Sequence, residues 1–417
     1  MHRLAPFFVV LLLTQCLSGA APHGPDLAAG PHAFTWDQEF DYVSWVGSAA
    51  LLKLGQAALG PERYLDEAAQ KQLVLDAMAL VQDIQVSEHQ LRILHADPDP
   101  QAVRAQIDEL NAHLGALYGR RAELLPIAEN ILQSQVSAVF GEQGFTLLGQ
   151  PIPPLLFHST PLPSNLIASP RDRIAQAASI SLRTELTLEE HIAIEDQVAS
   201  ALNLSTLVVP VGGIGVYPTM VAQTSDLNWL AEVVSHEWMH NYLTLRPLGL
   251  LYFQSPQLTT MNETTANLVG REIGQAVIAR YYPELVPPPP APVPSTPSPD
   301  NPPAEPVFDF NAEMHATRVQ VDALLAEGEI EEAEAYMETR RLFFWDHGYA
   351  IRKLNQAYFA FYGSYADSPI GAAGEDPVGA AVRELRARSA SLKEFVSRMA
   401  WLTSFEDLQN LLAGLGP

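Results

Sequence analysis

The residues with the clearest chemical signature are His236, Glu237 and His240, which lie inside an apolar helical pattern as His-Glu-x-x-His. Two histidines four residues apart project from one face of a helix, so both imidazoles can reach one metal ion. A glutamate directly after the first histidine can face a water molecule on that ion and remove its proton. The spacing therefore predicts two metal ligands, His236 and His240, and a general base, Glu237.

A carboxylate from a second helix would complete this site. Residues 261–267, Met-Asn-Glu-Thr-Thr-Ala-Asn, begin 21 residues after His240 and contain Glu263. Two histidines and one glutamate leave a fourth metal position open for water, as catalytic zinc sites do. Asn267 lies one helical turn beyond Glu263, where it can accept a hydrogen bond from the ring N–H of a liganding histidine. Gly270 and Gly274 would let the second helix pack closely on its neighbour.

Both segments resemble those of the gluzincin zinc metallopeptidases, whose best-known members are thermolysin-like. The resemblance rests on residues 234–240, Val-Ser-His-Glu-Trp-Met-His, and on residues 262–267, Asn-Glu-x-x-Ala-Asn. The part of the chain that carries it runs from residue 207 to 280, about a sixth of the length.

The resemblance implies a zincin-like fold and a specific set of roles. Zn²⁺ would bind His236, His240 and Glu263, and Glu237 would be the general base. A strand that binds the substrate backbone would precede the first helix, and residues 214–218, Ile-Gly-Val-Tyr-Pro, are available for that role.

A looser likeness extends into the C-terminal part. Residues 352–365 are similar to a segment of a bacterial family described as aminopeptidases, in which Asn-Asn-Ala leads to a tyrosine; this chain has Asn-Gln-Ala at 355–357 and then Tyr365. The likeness implies that Tyr365 stabilises the oxyanion of the tetrahedral intermediate, and Tyr252 and Tyr362 are the other candidates. The Gly-x-Met-Glu-Asn segment by which many zinc aminopeptidases bind the substrate amine is absent, so exopeptidase and endopeptidase activity both stay open.

Composition excludes several other functions. The 417 residues include 24 basic and 48 acidic side chains, which gives a net charge of −24. Nucleic acid and anionic lipid attract clustered Lys and Arg, and the chain has no such cluster, so we expect no nucleic-acid partner. The single cysteine, Cys16, excludes an intrachain disulfide and a Cys-ligated metal site, and Gly-x-Ser-x-Gly is absent. A peptide or protein substrate remains the expected partner.

The N-terminus predicts export. Residues 1–20 combine a weakly basic start, an apolar stretch too short to span a bilayer and a Ser-Gly-Ala sequence at 18–20, which is typical of a signal peptide. Residues 13–16, Leu-Thr-Gln-Cys, also resemble a bacterial lipobox. A lipid would then be attached to Cys16 and would anchor the protein to the membrane. Both interpretations predict an extracytoplasmic protein, either secreted or lipid-anchored at the cell surface.

The pattern of the whole chain predicts an α+β fold that is predominantly α-helical, with a small edge-strand sheet and two metal-bearing helices. Eleven of the 21 residues from 286 to 306 are proline, which predicts an extended loop or linker. This segment is either an insertion within one catalytic unit or a boundary between two domains. The predicted regions are a helical N-terminal region at 37–140, a metallopeptidase core at 141–285, the Pro-rich segment at 286–306 and a helical C-terminal part of the catalytic unit at 307–417.

Several local elements are predicted inside these regions. Pro98 and Pro100 break a long helical pattern into a hairpin of two helices. The apolar run 207–211, the dipeptide Gly-Gly at 212–213 and the run 214–217 predict a strand, a tight turn and a second strand. Pro210 favours an edge position for the first of these strands.

Three helices are predicted around these runs. Thr187 and Glu190 have the spacing of a capping box, which opens a helix. The predicted bounds are Thr187 to Leu202, Ser225 or Asp226 to a point before Pro247, and Asn262 to Arg280.

The leading hypothesis is therefore an exported zinc-dependent peptidase. An alternative is a non-catalytic zinc-binding or scaffolding lipoprotein that retains a peptidase fold. A helical interaction protein in which the motif arises by chance is a third hypothesis, and it predicts no bound metal.

Overall fold

The computed structural model describes residues 30–95, 104–147, 149–288, 308–349, 351–363 and 377–415. Within these ranges the fold is α+β and mostly helical, as the sequence predicts, and it has three small sheets where one was expected. Residues 1–20 with Cys16, the Pro-rich segment from residue 289 onward and Tyr365 lie outside the described residues. None of the described helices combines the length and the apolar character that a membrane crossing requires.

The helices and strands follow one another in mixed order. The helices are α1 His32–Thr35, α2 Tyr42–Leu59, α3 Glu67–His95, α4 Arg104–Glu142, α5 Leu188–Leu202, α6 Leu227–Leu243, α7 Pro247–Leu250, α8 Pro256–Tyr281, α9 Phe310–Ala326, α10 Ile330–Asp346, α11 Gln356–Tyr362, α12 Pro377–Ala387, α13 Leu392–Met399 and α14 Phe405–Gly414. The strands are β1 Thr146–Leu147, β2 Gln150–Pro151, β3 Phe157–Ser159, β4 Ser164–Pro170, β5 Ala178–Leu182, β6 Leu204–Val209, β7 Gly213–Ile214 and β8 Thr219–Val221.

The N-terminal helices α3 and α4 form the predicted pair on either side of Pro98 and Pro100. Leu80 and Ile84 of α3 pack against Leu114 and Leu117 of α4. Further along, α4 enters the main hydrophobic core, where the ring of Phe140 lies 4.2 Å from that of Trp238 on α6. The N-terminal helices therefore share one core with the helix that carries the histidines.

The antiparallel sheet β5–β4–β6 is buried on both faces. Leu166 and Val208 belong to a cluster that includes side chains of α5, whereas Ile167 and Leu207 face the cluster formed with α9, α10 and α11. This alternation follows from the two-residue period of a strand. Helix α5 opens with the predicted Thr187 capping box and ends at Leu202.

The predicted hairpin across Gly212-Gly213 is wrong. β6 pairs with β4, whereas β7 pairs with β8 in a separate sheet of order β3–β8–β7. β6 lies at an edge of its sheet, as Pro210 indicates, and the chain leaves that sheet at this proline. A short apolar run does not specify its partner, because the partner depends on which elements cover its faces.

The two helices that contain the motifs, α6 and α8, begin at capping residues. The side chain of Asp226 accepts a hydrogen bond from the backbone N–H of Trp229 and caps α6, which ends before Pro247 as predicted. Helix α8 begins earlier than the predicted Asn262, because Ser255 caps it and Pro256 occupies its first position.

Helices α6 and α8 cross in close contact at two glycines. A Cβ atom on Gly270 would lie 2.9 Å from the carbonyl oxygen of Glu232 and 3.0 Å from Cβ of His236. A Cβ atom on Gly274 would lie 2.9 Å from Cα of Glu232. The predicted close packing of the second helix is therefore confirmed, and it brings the backbone at His236 directly against α8.

Candidate metal centre

His236, His240 and Glu263 meet in one cluster, although they come from two helices. Nε2 of His236 lies 3.0 Å from Nε2 of His240, and Oε2 of Glu263 lies 3.6 Å from each of these nitrogens. Ligand atoms at tetrahedral positions about 2.0–2.1 Å from a zinc ion are about 3.3 Å apart. The triangle of donor atoms thus has the size that a small dication requires, and these three residues could hold a metal ion.

The carboxylate of Glu263 supports this interpretation because its two oxygens differ. Oε1 accepts a hydrogen bond from the hydroxyl of Tyr252. Oε2 is buried and has no hydrogen-bond partner within the described part of the chain, although it faces both ring nitrogens. A buried carboxylate oxygen without a donor is costly, so its position between two imidazoles favours a bound cation.

Each imidazole has an asparagine of α8 as a hydrogen-bond partner. Oδ1 of Asn262 lies 2.8 Å from Nδ1 of His240, and the side chain of Asn267 hydrogen-bonds His236. An oxygen acceptor at one ring nitrogen fixes the proton there and leaves the other nitrogen available as a metal ligand. The Asn267 contact agrees with the prediction from helical spacing.

The protonation states within the cluster depend on one another. Burial lowers the pKa of His236 to about 4. Burial also opposes the charged form of His240, but the carboxylate of Glu263 outweighs it and raises the pKa of His240 to about 9. Burial alone would raise the pKa of Glu263, yet His240 and then His236 lower it to about 2. The site favours a positive charge next to Glu263, and a divalent cation there would displace the proton of His240.

Glu237 lies beside the cluster without belonging to the donor triangle. Burial raises the pKa of its carboxyl group to about 7; His240 opposes this shift and Glu263 adds to it. Its side chain contacts the backbone of β7, since a Cβ atom built on Gly213 would lie 2.6 Å from Oε1 of Glu237. A carboxyl group with a pKa near neutrality suits proton transfer in both directions.

The tyrosines predicted from the sequence have different positions. The hydroxyl of Tyr252 donates a hydrogen bond to Glu263, so in this arrangement Tyr252 orients a candidate ligand. Tyr362 packs on Tyr358, with ring centroids 4.5 Å apart, in the cluster around β4 and β6. Tyr365 lies outside the described residues. Asn355, which precedes Tyr365 in the same similar segment, lies at the start of α11. Its side chain donates a hydrogen bond to the carbonyl of Thr206 in β6 at 2.9 Å and so joins α11 to the sheet.

Three contacts of the site were not expected from the sequence: Asn262 with His240, Tyr252 with Glu263, and Gly213 with Glu237. Each contact joins residues from different elements. In the sequence, only the polar or small character of these residues indicated a role at the site. Asn262 precedes a predicted ligand, so its adjacency was a weak signal for a supporting role.

Comparison with family models finds no match for this chain, and comparisons with curated proteins and with solved structures find none either.

Proposed function

We propose that this protein is a Zn²⁺-dependent peptidase with a zincin-like core and Glu237 as the general base. The observation that carries the proposal is the triangle of donor atoms from His236, His240 and Glu263, with edges of 3.0 to 3.6 Å, beside a buried fourth side chain able to transfer protons. Two histidines and one glutamate are the donor set of one well-known class of catalytic zinc site.

The side chains divide the chemistry among themselves. Zn²⁺ held by these residues would lower the pKa of a water in its fourth position and polarise a peptide carbonyl. Glu237 accepts the proton of the attacking water and returns it to the leaving amine. Asn262, through its bond to His240, and Tyr252, through its bond to Glu263, hold the ligands in place.

The neighbouring sheet offers a place for an extended peptide. β7 pairs with β8 on one side, and no other described strand pairs with its opposite edge. β7 itself packs against the side chain of Glu237 at Gly213. A peptide that adds to a free strand edge forms main-chain hydrogen bonds and is held extended. We therefore assign binding of the substrate backbone to residues 214–218, as the resemblance to gluzincins implies.

The alternative is a zinc-binding or scaffolding protein that retains the site without turnover. The buried Glu237 favours catalysis, because a purely structural zinc site has four protein ligands and needs no proton acceptor. The proposal also keeps the predicted export by residues 1–20, with secretion or lipid attachment at Cys16. A peptide or protein is the expected substrate.

Glu237→Gln tests the proposal directly. The variant keeps the shape of the side chain and loses its basicity, so zinc content should be unchanged while hydrolysis of a fluorogenic peptide panel falls by about a hundredfold or more. Glu232→Gln is the matched control, since Glu232 lies one turn earlier on α6 and is no metal ligand. Full activity in Glu237→Gln would refute the general-base role, and zinc binding without chelator-sensitive hydrolysis in the wild type would favour the scaffolding alternative.

A further inference from the structure

We propose that Gly213 is a positioning residue for Glu237: its missing side chain creates the space in which the carboxyl group of Glu237 lies. The catalytic consequence rests on the proposed function, whereas the contact itself can be tested without any activity.

The contact is the closest that any glycine of β7 or its flanks makes with a side chain of α6. A Cβ atom at residue 213 would lie 2.6 Å from Oε1, 2.7 Å from Cγ and 2.8 Å from Cδ of Glu237. Carbon atoms in van der Waals contact are about 3.5–4.0 Å apart. An alanine at this position and Glu237 in its present conformation cannot coexist.

The backbone conformation does not explain this glycine. Gly213 does not lie in the left-handed region, which favours glycine in tight turns, so an L-residue could adopt its dihedral angles. The requirement comes from close approach alone. Gly213 is a residue of an edge strand that pairs with Val221 of β8, and the strand needs no glycine there for its hydrogen bonds.

The flanking glycines give a graded comparison. A Cβ atom on Gly212 would lie 3.0 Å from the ring of Trp229, and one on Gly215 would lie 3.2 Å from Cβ of His240 and 3.5 Å from Oε2 of Glu237. Residues 212–215 thus pack closely against side chains of α6, and the shortest distance is at Gly213. The closest approach at position 215 is to His240, and Glu237 lies there at ordinary van der Waals distance, which makes Gly215 the matched control.

The atoms in conflict determine the consequence of a substitution. The three atoms nearest to such a Cβ all belong to the side chain of Glu237. A side chain can rotate, whereas a helix backbone cannot shift without disturbing its neighbours. A Cβ atom at residue 213 should therefore displace the carboxyl group while the strand, α6 and the metal ligands stay in place.

The test is a double-mutant cycle between Gly213→Ala and Glu237→Ala, with Tm as the readout. Gly213→Ala should lower Tm in the wild-type background and leave it unchanged in the Glu237→Ala background, because the side chain in conflict is then absent. Gly215→Ala should lower Tm equally in both backgrounds, since it meets Cβ of His240. An equal effect of Gly213→Ala in both backgrounds, including no effect in either, would overturn the positioning role.

Peptide hydrolysis supplies the second readout. Gly213→Ala should retain zinc and lose about a hundredfold or more in kcat, and the loss should vanish when the same change is made in Glu237→Gln. A Gly213→Ala enzyme as fast as the wild type would contradict the proposal. If the wild type hydrolyses no peptide, the proposed function fails, and the Tm cycle still decides the role of Gly213.

Discussion

Glu129 and Glu263 are equally buried carboxylates, each 3% exposed, and they differ in how their oxygens are satisfied. Glu129 accepts hydrogen bonds from Nζ of Lys53 at 2.7 Å, from the backbone N–H of Ser159 at 2.8 Å and from Nδ1 of His158 at 3.0 Å. Glu263 has one bonded oxygen and one that faces two ring nitrogens at 3.6 Å without a hydrogen bond.

The difference separates a structural ion pair from a candidate metal site. The donors to Glu129 come from α2 and β3, so the carboxylate on α4 joins three elements and both of its oxygens accept hydrogen bonds. The donors around Glu263 leave one oxygen for a cation. A buried acid alone does not indicate function; an acid whose second oxygen faces other metal-ligating atoms does.

The largest expected effect comes from removing the ligand. Glu263→Ala should abolish stoichiometric zinc binding and peptide hydrolysis together, because two histidines alone do not complete the site. Zinc titration by calorimetry, with Tm measured with and without chelator, checks this. Addition of chelator should lower the Tm of the wild type and leave the Tm of the variant unchanged. A Glu263→Ala variant that still binds zinc tightly would contradict the ligand role.

The structural carboxylate should show the opposite behaviour. Glu129→Gln leaves Lys53 buried with a neutral partner, so we expect a loss of about 3–5 kcal/mol in the free energy of unfolding, as is typical of a broken buried ion pair. Zinc affinity of the folded variant should stay unchanged. Glu123→Gln, at an exposed position of the same helix, is the control in denaturant titrations. An unchanged free energy of unfolding in Glu129→Gln would show that the ion pair between Lys53 and Glu129 does not stabilise the fold.

The asparagines of α8 test the support of the ligands. Asn262→Ala removes the oxygen that contacts Nδ1 of His240, and Asn267→Ala removes the hydrogen-bond partner of His236. Each should weaken zinc binding by about 10- to 100-fold, the usual effect of losing an outer partner of a liganding histidine. Competition with a chromogenic chelator measures the change. Equal zinc affinity in both variants and the wild type would mean that the imidazoles need no such orientation.

The glycines at the helix crossing should have a smaller effect. Gly274→Ala places a methyl group against the backbone of Glu232 and should cost about 1–3 kcal/mol of stability. Gly270→Ala also presses on Cβ of His236, so it should reduce zinc affinity as well. Denaturant unfolding and zinc titration of both variants distinguish the two positions. The opposite ranking in zinc affinity would contradict the contact at His236.

The pH dependence of stability gives the finest comparison. Burial would raise the pKa of Glu129, but Lys53 and then His158 lower it below the ordinary value of 4.5. A lowered pKa in the folded state contributes stability above the unfolded pKa, and that stability is lost as the pH falls through the folded value. The stability difference between the wild type and Glu129→Gln should therefore narrow below about pH 4.5. A difference that stays constant from pH 6 to pH 3 would contradict the lowered pKa.

Local patterns in the sequence predicted the elements that carry the site. The spacing of His236 and His240 fixes both on one helix face, and Asp226 and Pro247 bound that helix. The start of α8 was missed because its signal, Ser255 before Pro256, lies about two helical turns ahead of Asn262. The hairpin at Gly212-Gly213 was wrong because strand pairing depends on partners distant in the sequence.

The sequence by itself determined the chemical types and the helical periodicity, since neighbours along one helix are related by a fixed rotation. The sequence was therefore sufficient to identify His236, His240 and Glu263 as candidate metal ligands and Glu237 as the candidate general base. Only the tertiary structure decided how the elements meet. The crossing of α6 and α8 places Asn262 at His240, the turn before α8 places Tyr252 at Glu263, and the path of β7 places Gly213 over Glu237. These contacts depend on close packing between separate elements, which no local pattern encodes.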